Sequence, residues 1–409
     1  MKLPGQDPDV PPGLPGDFGL ERIFAVPFNR ASLAGSEFRY MQESINALHI
    51  SGDGPFTRKC HSWLEQKLGA PKVLLTTSGT HALEMAALLL NLGPGDEVIV
   101  PSFTFSSTVN AFVLRGAVPV FADIRPDTAN IDENKIEQLI TSYTRAIVLV
   151  HYAGVACAMD DILKIAARHR LAVIEDNAHG LFGRYKGRYL GTFGALAAQS
   201  FHETKNITCG EGGALLINDT ALIQRAEIIR EKGTNRAEFF RGQVDKYSWV
   251  DVGSSYLPSD LLAAFLYAQL EAADLIQQRR KAIWQRYWDA LEPGAGAAGC
   301  RLPVVPADCD PAYHMFYLLM ASFEQRQALI AHLLRRDIFA AFHYVPLHSS
   351  EAGLKYGKRG AHCPVTEDVS ARLVRVPFYS ALHEEQQTLV VQAIREFWGL
   401  PERVTAVVR

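Results

Sequence analysis

The sequence predicts an α/β protein, with a large domain built on a mostly parallel sheet and a smaller α+β domain after it. Three observations carry this expectation. Short runs rich in Val, Ile and Leu recur between helical patterns. Those runs are continuously apolar instead of alternating, which is how strands covered on both faces read. Toward the C-terminus, from about residue 276, the regular exchange of strand and helix gives way to weaker periodicity. A chain of 409 residues, 48% hydrophobic and 21% charged, is long enough for two such units.

Taken in order, MKLPGQDPDVPPGLPGDFG is rich in Pro and Gly and has neither the basic end nor the apolar core of a signal peptide. A flexible extension is expected over residues 1–23, and the large domain over 24–275. KVLLT (72–76) leads into a helix through THALEMAALLLNLG, and EVIVP (97–101) into one through STVNAFVLRG. VPVFADI (118–124) precedes a helix from Asp132, AIVLV (146–150) precedes a helix from Asp160, and LAVIED (171–176) follows. GALAAQ reads as a further buried strand. A long helical stretch from Ser259 to Leu291 leads into the smaller domain, 276–409, which ends in a helix after His383. Strands separated by helices that cross over them run parallel and are covered on both faces.

Composition narrows the partners. A formal net charge of −3, with no block of like charge, gives no footprint for nucleic acid or an anionic membrane. No segment reaches membrane-spanning length. Cys60, Cys157, Cys209, Cys300, Cys309 and Cys363 are scattered without a C-x-x-C pair, so neither a zinc site nor a disulfide framework is expected, and a reducing cytoplasm fits. Partners are then small molecules or other subunits. GAGAAG (294–299) matches a dinucleotide fingerprint but follows a helix, so it reads as a connector. His343 and His348 in FHYVPLH are separated by Pro346, which precludes an i, i+4 helical pair, and no metal site is expected.

In sheets of this kind ligands collect at the carboxyl ends of strands. Three such ends carry unusual residues. Ser78, Gly79 and Thr80 in TTSGTHAL precede a helix, where free N–H groups and the dipole suit a phosphate, although Ser and Thr are also ordinary caps. Asp176 ends LAVIED, as a partner for a cationic ring nitrogen or as a cap. Lys205 follows GALAAQ in SFHETKNITCGEGG, a long cationic side chain placed after a buried strand. Pyridoxal phosphate needs a lysine for its Schiff base, a carboxylate that keeps its ring nitrogen protonated and a phosphate cup, and these three sites supply that set. A lysine beside a cationic cofactor has a depressed pKa and can shuttle protons.

In order and spacing, TSGTHAL, PSFTF, VIEDNAH and SFHETKN with GEGG resemble the DegT/DnrJ group of fold-type I pyridoxal phosphate aminotransferases, which aminate nucleotide-linked keto-sugars. The resemblance covers about residues 26 to 400. It implies an aspartate aminotransferase-like fold, with the aldimine on Lys205, the ring-nitrogen partner at Asp176 and a contact from His179 to the phenolic oxygen. It further implies phosphate held by Gly79 and Thr80 with Ser78 and Ser200, and Phe105 stacked on the ring. Relatives usually carry Asn where GSSYL has Ser255, reaching the phosphate in a neighbouring subunit, so the resemblance implies a homodimer with shared active sites. Asn177 stands where alanine is usual. PFNRASLAGSEFRYM, SGDGPFTRKC, HYAGVACAMD, EIIREKGTNRAEFFRGQVDKYSW, GSSYL and FHYVPLH look most like members that use L-glutamate to aminate C4 of dTDP-4-keto-6-deoxy-D-glucose. The product of those members, dTDP-4-amino-4,6-dideoxy-D-galactose, serves enterobacterial common antigen or O-antigen. By the same resemblance His343 and Tyr344 border the sugar. His151 and Tyr152 end a strand toward the cofactor side or serve packing, and Arg236 and Arg241 bind substrate anions or are solvated surface residues. Related sugar dehydratases replace the lysine by histidine, which Lys205 argues against. A non-catalytic sensor that binds the same cofactor is the alternative from another class.

Overall fold

The computed structural model describes residues 24–401. Its strands are β1 (Lys72–Thr76), β2 (Glu97–Pro101), β3 (Val118–Ala122), β4 (Thr144–Val150) and β5 (Ala172–Asp176), then β6 (Arg184–Tyr185), β7 (Arg188–Tyr189), β8 (Leu196–Ser200) and β9 (Gly213–Ile217). The C-terminal part adds β10 (Cys309–Asp310), β11 (Tyr317–Leu319), β12 (Ala341–Phe342) and β13 (Leu373–Arg375). Seven strands form the central sheet in the order β1-β9-β8-β5-β4-β2-β3. All neighbours are parallel except at β9, which runs antiparallel to both β1 and β8. The chain returns from β8 to β9 without a crossover helix, and a short return of that kind permits only antiparallel pairing.

Both faces of the sheet are buried, as unbroken apolar runs require. Along β2, Val98 and Val100 join Leu83, Met85 and Phe112 from the helices Gly79–Leu89 and Ser107–Val113. Ile99, between them, points to the opposite face, where Ile147 and Leu149 of β4 meet Met159 and Ile162 of the helix Met159–His169. The period of two along each strand therefore divides one apolar run between two cores. Beneath β5, the fully buried Glu175 carboxylate accepts from the N–H groups of Gly191, Phe193 and Gly194 at 2.6 to 2.7 Å and bonds His151 Nε2 at 2.9 Å. This network fixes the turn that starts β8.

The C-terminal part is a three-stranded sheet, β11-β13-β12, covered by the helices Phe323–Arg335 and Glu384–Phe397. Leu318, Leu329, Val374, Val390 and Ile394 share its core with Trp284 and Tyr287 of the helix Ala273–Ala295. Val26 joins this core and bridges Ile338 in parallel, so the first described residues pack with the C-terminal core although they fall within the span 24–275. The long helical stretch expected from Ser259 to Leu291 is two helices, Asp260–Glu271 and Ala273–Ala295, broken at Ala272. The second helix continues through Pro293 to Ala295, so GAGAAG begins inside it and only its end is connector. The helix expected from Asp132 is one turn, Glu133–Ile136, capped by the Asp132 side chain and followed by a 3-10 turn. The extension expected over 1–23 lies outside the described residues. Among those residues no helix is long and apolar enough to cross a membrane, and all six cysteines are free.

Candidate active site

Asp176 and Ser200 are the last residues of the adjacent parallel strands β5 and β8. The turn after β1 opens on the same edge, so three strand ends meet in one cleft of about 630 Å³. Ser78, Gly79, Thr80, Ser200 and Phe105 line it together with Asp176, His179 and Lys205. His343 and Tyr344 close it from the C-terminal part.

The turn is built for close approach. Ser78 is extended and caps the helix Gly79–Leu89, its Oγ accepting from His81 N at 3.1 Å. Thr80 Oγ1 donates to Ser107 Oγ at 2.8 Å. Gly213, the second of the paired glycines of GEGG, faces Thr76 across β1 and β9. A Cβ there would lie 2.3 Å from Ser78 C and 2.5 Å from Gly79 N. Only a residue without a Cβ lets the turn settle against β9. The glycines after Lys205 thus support the helix N-terminus on the other side of the cleft.

Asp176 is buried, its Oδ2 accepting from Thr108 Oγ1 at 2.6 Å and its Oδ1 from Ala178 N at 3.1 Å. Thr104 Oγ1 lies 2.7 Å from Thr108 Oγ1, extending the chain of hydroxyls. Lys205 sits in a turn closed by its N–H donating to His202 O at 2.9 Å. Burial pushes its amine down from the ordinary lysine value to about 8, with the Asp176 carboxylate opposing that shift and the Arg375 cation adding to it. A lysine placed behind a buried strand is therefore one that can be neutral near physiological pH.

Asn206 anchors this turn to the C-terminal part, donating to Ala312 O at 2.6 Å and bonding His314 Nδ1 through Oδ1 at 2.9 Å. His314 stacks on His179, with ring centroids 4.2 Å apart and planes 17° apart. His179 Nε2 lies 3.5 Å from the Tyr344 hydroxyl, and its Nδ1 is buried without a hydrogen-bond partner. Burial holds His179, His314 and His343 well below the ordinary imidazole pKa, so all three are neutral. Phe105 is 58% exposed at the mouth, tilted toward Tyr344.

Other residues singled out in the sequence lie elsewhere. Ser255 is exposed, outside the cleft of its own chain, and bridges Glu231. His151 faces Glu175, away from the cleft, while Tyr152 is fully buried with its hydroxyl 3.0 Å from His343 Nδ1. Asn177 turns under the sheet, donating to Leu190 O and Gln199 Oε1. Arg236 pairs with Glu231, and Arg241 with Glu227. His348 bonds Ser102 and Glu367. Conversely, Thr108, His314 and Arg375 belong to the site and carry no motif of their own.

An amine of lowered pKa, a fixed carboxylate, an open helix N-terminus and an unpartnered buried ring nitrogen suit a phosphorylated heteroaromatic aldehyde. Solved structures share this fold. The pyridoxal-phosphate form of Spr1654 from Streptococcus pneumoniae aligns with a TM-score of 0.84 at 25% identity, covering 91% of this chain and 98% of that one. DesV from S. venezuelae gives 0.83 at 31% identity over 92% and 99%. Fold and cleft together define a pyridoxal phosphate-dependent aminotransferase of fold type I. More particularly, the chain belongs to the DegT/DnrJ/EryC1/StrS aminotransferase family, which it matches over residues 32–395, and it is a sugar aminotransferase. GDP-perosamine synthase of Escherichia coli O157:H7 is 33% identical over 383 residues, covering 91% of this chain and 99% of that protein.

Proposed function

We propose that this enzyme transfers the amino group of L-glutamate to C4 of dTDP-4-keto-6-deoxy-D-glucose, giving dTDP-4-amino-4,6-dideoxy-D-galactose and 2-oxoglutarate for a surface polysaccharide. The observation that carries the reading is the place of FHYVPLH. This segment, among those resembling the C4-aminating members, puts His343 and Tyr344 on the wall of the cleft that holds Lys205. Bound pyridoxal phosphate supplies an aldehyde that condenses with amines and a ring that accepts the electron pair left by the donor's Cα–H bond.

The chain's own residues do the rest. Lys205 would hold the cofactor covalently and, once freed as a neutral amine, would take the proton from the donor's Cα and pass it to the cofactor. In the second half of the reaction it delivers a proton to C4 of the sugar, and the face that C4 presents sets the configuration of the new amine. Asp176 meets the ring nitrogen, with Thr108 fixing its Oδ2. Ser78, Gly79 and Thr80 hold the phosphate, helped by Ser200. His179 offers its free Nδ1 to the phenolic oxygen, and Phe105 covers the ring from the mouth. Ser255 belongs to the active site of a second subunit in a homodimer, in accord with its exposure outside its own cleft.

The lowered Lys205 pKa has a measurable consequence. Only the neutral amine condenses with the aldehyde, so uptake of the cofactor by the apoenzyme is expected to rise with pH and level off above about 8. Stopped-flow absorbance against pH checks this, and a rate still climbing near 10 would mean an ordinary lysine.

A second reading is favoured by the relative named for a GDP-linked product, namely the same reaction on a GDP-linked keto-sugar. Incubating the loaded enzyme with L-glutamate and either the dTDP-linked or the GDP-linked 4-keto-6-deoxy-hexose separates the two. Mass spectrometry and proton NMR are expected to show an axial C4 amine on the dTDP sugar. Amination of the GDP sugar alone would install the second reading.

A further inference from the structure

Tyr152 opens the turn Tyr152–Gly154 that follows β4, and this turn is held from several sides. Tyr152 N donates to Asn130 Oδ1 at 2.8 Å, while Asn130 Nδ2 donates to Val155 O and Ala156 O. Ala153 is left-handed, with a φ of 55°, which is uncommon for a residue that carries a Cβ. A Cβ on Gly154 would lie 2.7 Å from Ala312 Cβ and 2.9 Å from His179 O. The backbone is thus pressed against two segments of the cleft wall. The Tyr152 ring, fully buried, is carried into the apolar cluster of Phe103, Met315 and Tyr317.

In that setting the Tyr152 hydroxyl has one partner among the described residues, His343 Nδ1 at 3.0 Å. Burial pushes the phenol pKa far up, and burial with the Arg375 cation holds His343 well below the ordinary imidazole value, so both groups are neutral. A neutral imidazole carries its single proton on either nitrogen. With that proton on Nδ1, His343 would donate to the phenol oxygen and the phenol's own proton would be buried without an acceptor. With it on Nε2, the phenol donates to Nδ1 and no donor is stranded. A buried donor left unmade costs its full desolvation, so the second arrangement is the stable one. Nε2 has no partner among the described residues, and the ring lines the cleft that holds Lys205. His343 therefore turns an N–H donor toward that cleft.

We propose that Tyr152 is a positioning residue for the sugar half of the reaction: its hydroxyl locks His343 in the Nε2–H form, and that N–H donates to an oxygen of the keto-sugar. The assignment rests on the transamination reading above. An uncharged donor suits the carbonyl and hydroxyl oxygens of a sugar, whereas the carboxylates of an amino acid gain more from a cation. A ring free to rotate or to exchange tautomers would spend part of its time offering an acceptor, and the apparent affinity for the sugar would fall by that fraction.

Nitrogen NMR of the loaded enzyme labelled with 15N-histidine reads the lock directly, with the His343 signals identified by their loss in His343→Gln. The expected spectrum has a protonated Nε2 and a hydrogen-bonded, unprotonated Nδ1, whose signal moves to the unbonded position in Tyr152→Phe. Kinetics then separate the two halves, with cofactor absorbance followed at varied L-glutamate and at varied keto-sugar. Tyr152→Phe is expected to raise the apparent KM for the keto-sugar about tenfold and to alter the glutamate step by less than about threefold. Tyr317→Phe removes a hydroxyl from the same cluster and should change neither, which controls for loosened packing. Added to His343→Gln, the change Tyr152→Phe should have little further effect on the sugar step, because a positioning residue acts through the residue it positions. A proton on Nδ1 of the unaltered enzyme overturns the proposal. So does a Tyr152→Phe effect that is equal in both steps, absent from both, or additive with His343→Gln. An unaltered enzyme that passes no amino group from glutamate to either keto-sugar would instead sink the transamination reading, and the nitrogen spectrum would still decide whether Tyr152 locks His343.

Discussion

Lys205→Ala is expected to abolish turnover while leaving the fold intact and the cofactor bound without covalent attachment. The side chain projects into the cleft and makes no side-chain hydrogen bond to the described residues, and burial, which lowers its pKa to about 8, disfavours its charged form. Removing it therefore relieves a burial cost and should not lower the melting temperature. Chemically the loss is twofold. The covalent hold on the aldehyde disappears, and so does the group that would move a proton from the donor's Cα to the cofactor in the first half and from the cofactor to the sugar's C4 in the second. Proton transfer by a positioned side chain contributes about 10²- to 10⁴-fold, or ~3–5 kcal/mol of barrier. The phosphate turn and Asp176 do not touch Lys205 through hydrogen bonds, so they still bind cofactor. Borohydride reduction followed by mass spectrometry should show a covalent adduct in the unaltered enzyme and none in the variant. Turnover at the normal rate would remove Lys205 from the mechanism.

The extent to which this fold shows in its sequence depends on whether each element has its own periodicity. The five strands from β1 to β5 are unbroken apolar runs because both faces are covered, and each is long enough to register. The direction of β9 was not legible, since Gly213–Ile217 is as apolar as its neighbours and direction comes only from the short return after β8. The strands of the C-terminal part are two or three residues long and carry no pattern. Nothing local marks Val26 as part of the C-terminal core, because that placement arises from a pairing with Ile338 far along the chain. Ala272 broke a helical stretch in which alanine favours continuation.

The site divides along the same line. Ser78, Asp176 and Lys205 could be singled out because each follows a strand, and strand ends are where this architecture places ligands. Gly213 was legible as a motif but not in its function, which is to admit the backbone of Ser78 and Gly79 in the turn after the neighbouring strand. Thr108, in a run of hydroxyl residues, looks like a helix cap, and it reaches Asp176 across 68 positions of sequence. His314 meets Asn206 across 108 positions. Apposition of this kind leaves no local trace. Arg375 ends a three-residue strand with no pattern of its own, and only its surroundings of aromatic rings and neutral histidines place it in the cleft.

Asp176→Ala is expected to lose most activity while keeping the fold, and Asp176→Asn to show that the loss comes from charge. In the buried pocket at the end of β5 the carboxylate accepts from Thr108 Oγ1 and Ala178 N. Alanine leaves both donors unpaired, which costs about 1–3 kcal/mol each if no water replaces the oxygen, so a modest fall in melting temperature accompanies the loss. Asparagine is the sharper probe, since its Oδ1 can still accept from Ala178 N, with Nδ2 donating to the Thr108 hydroxyl oxygen, while the negative charge is gone. The ring nitrogen then loses the charge that keeps it protonated, and the electron pair released at Cα loses its stabilising field. Deleting one preorganised electrostatic partner typically lowers kcat about 10²- to 10³-fold, ~2.7–4 kcal/mol, and the fall should appear in both halves of the reaction because both pass through the same ring. A second readout needs no turnover. The Asp176 carboxylate opposes the downward shift of the Lys205 amine, so its removal lets burial and Arg375 act unopposed. The pH at which apoenzyme uptake of cofactor levels off should then move below about 8 in Asp176→Asn. A variant that keeps full kcat and the same midpoint would show that Asp176 only caps the turn after β5. One that loses kcat with an unmoved midpoint would place its charge out of reach of Lys205, leaving the amine's pKa to burial and Arg375.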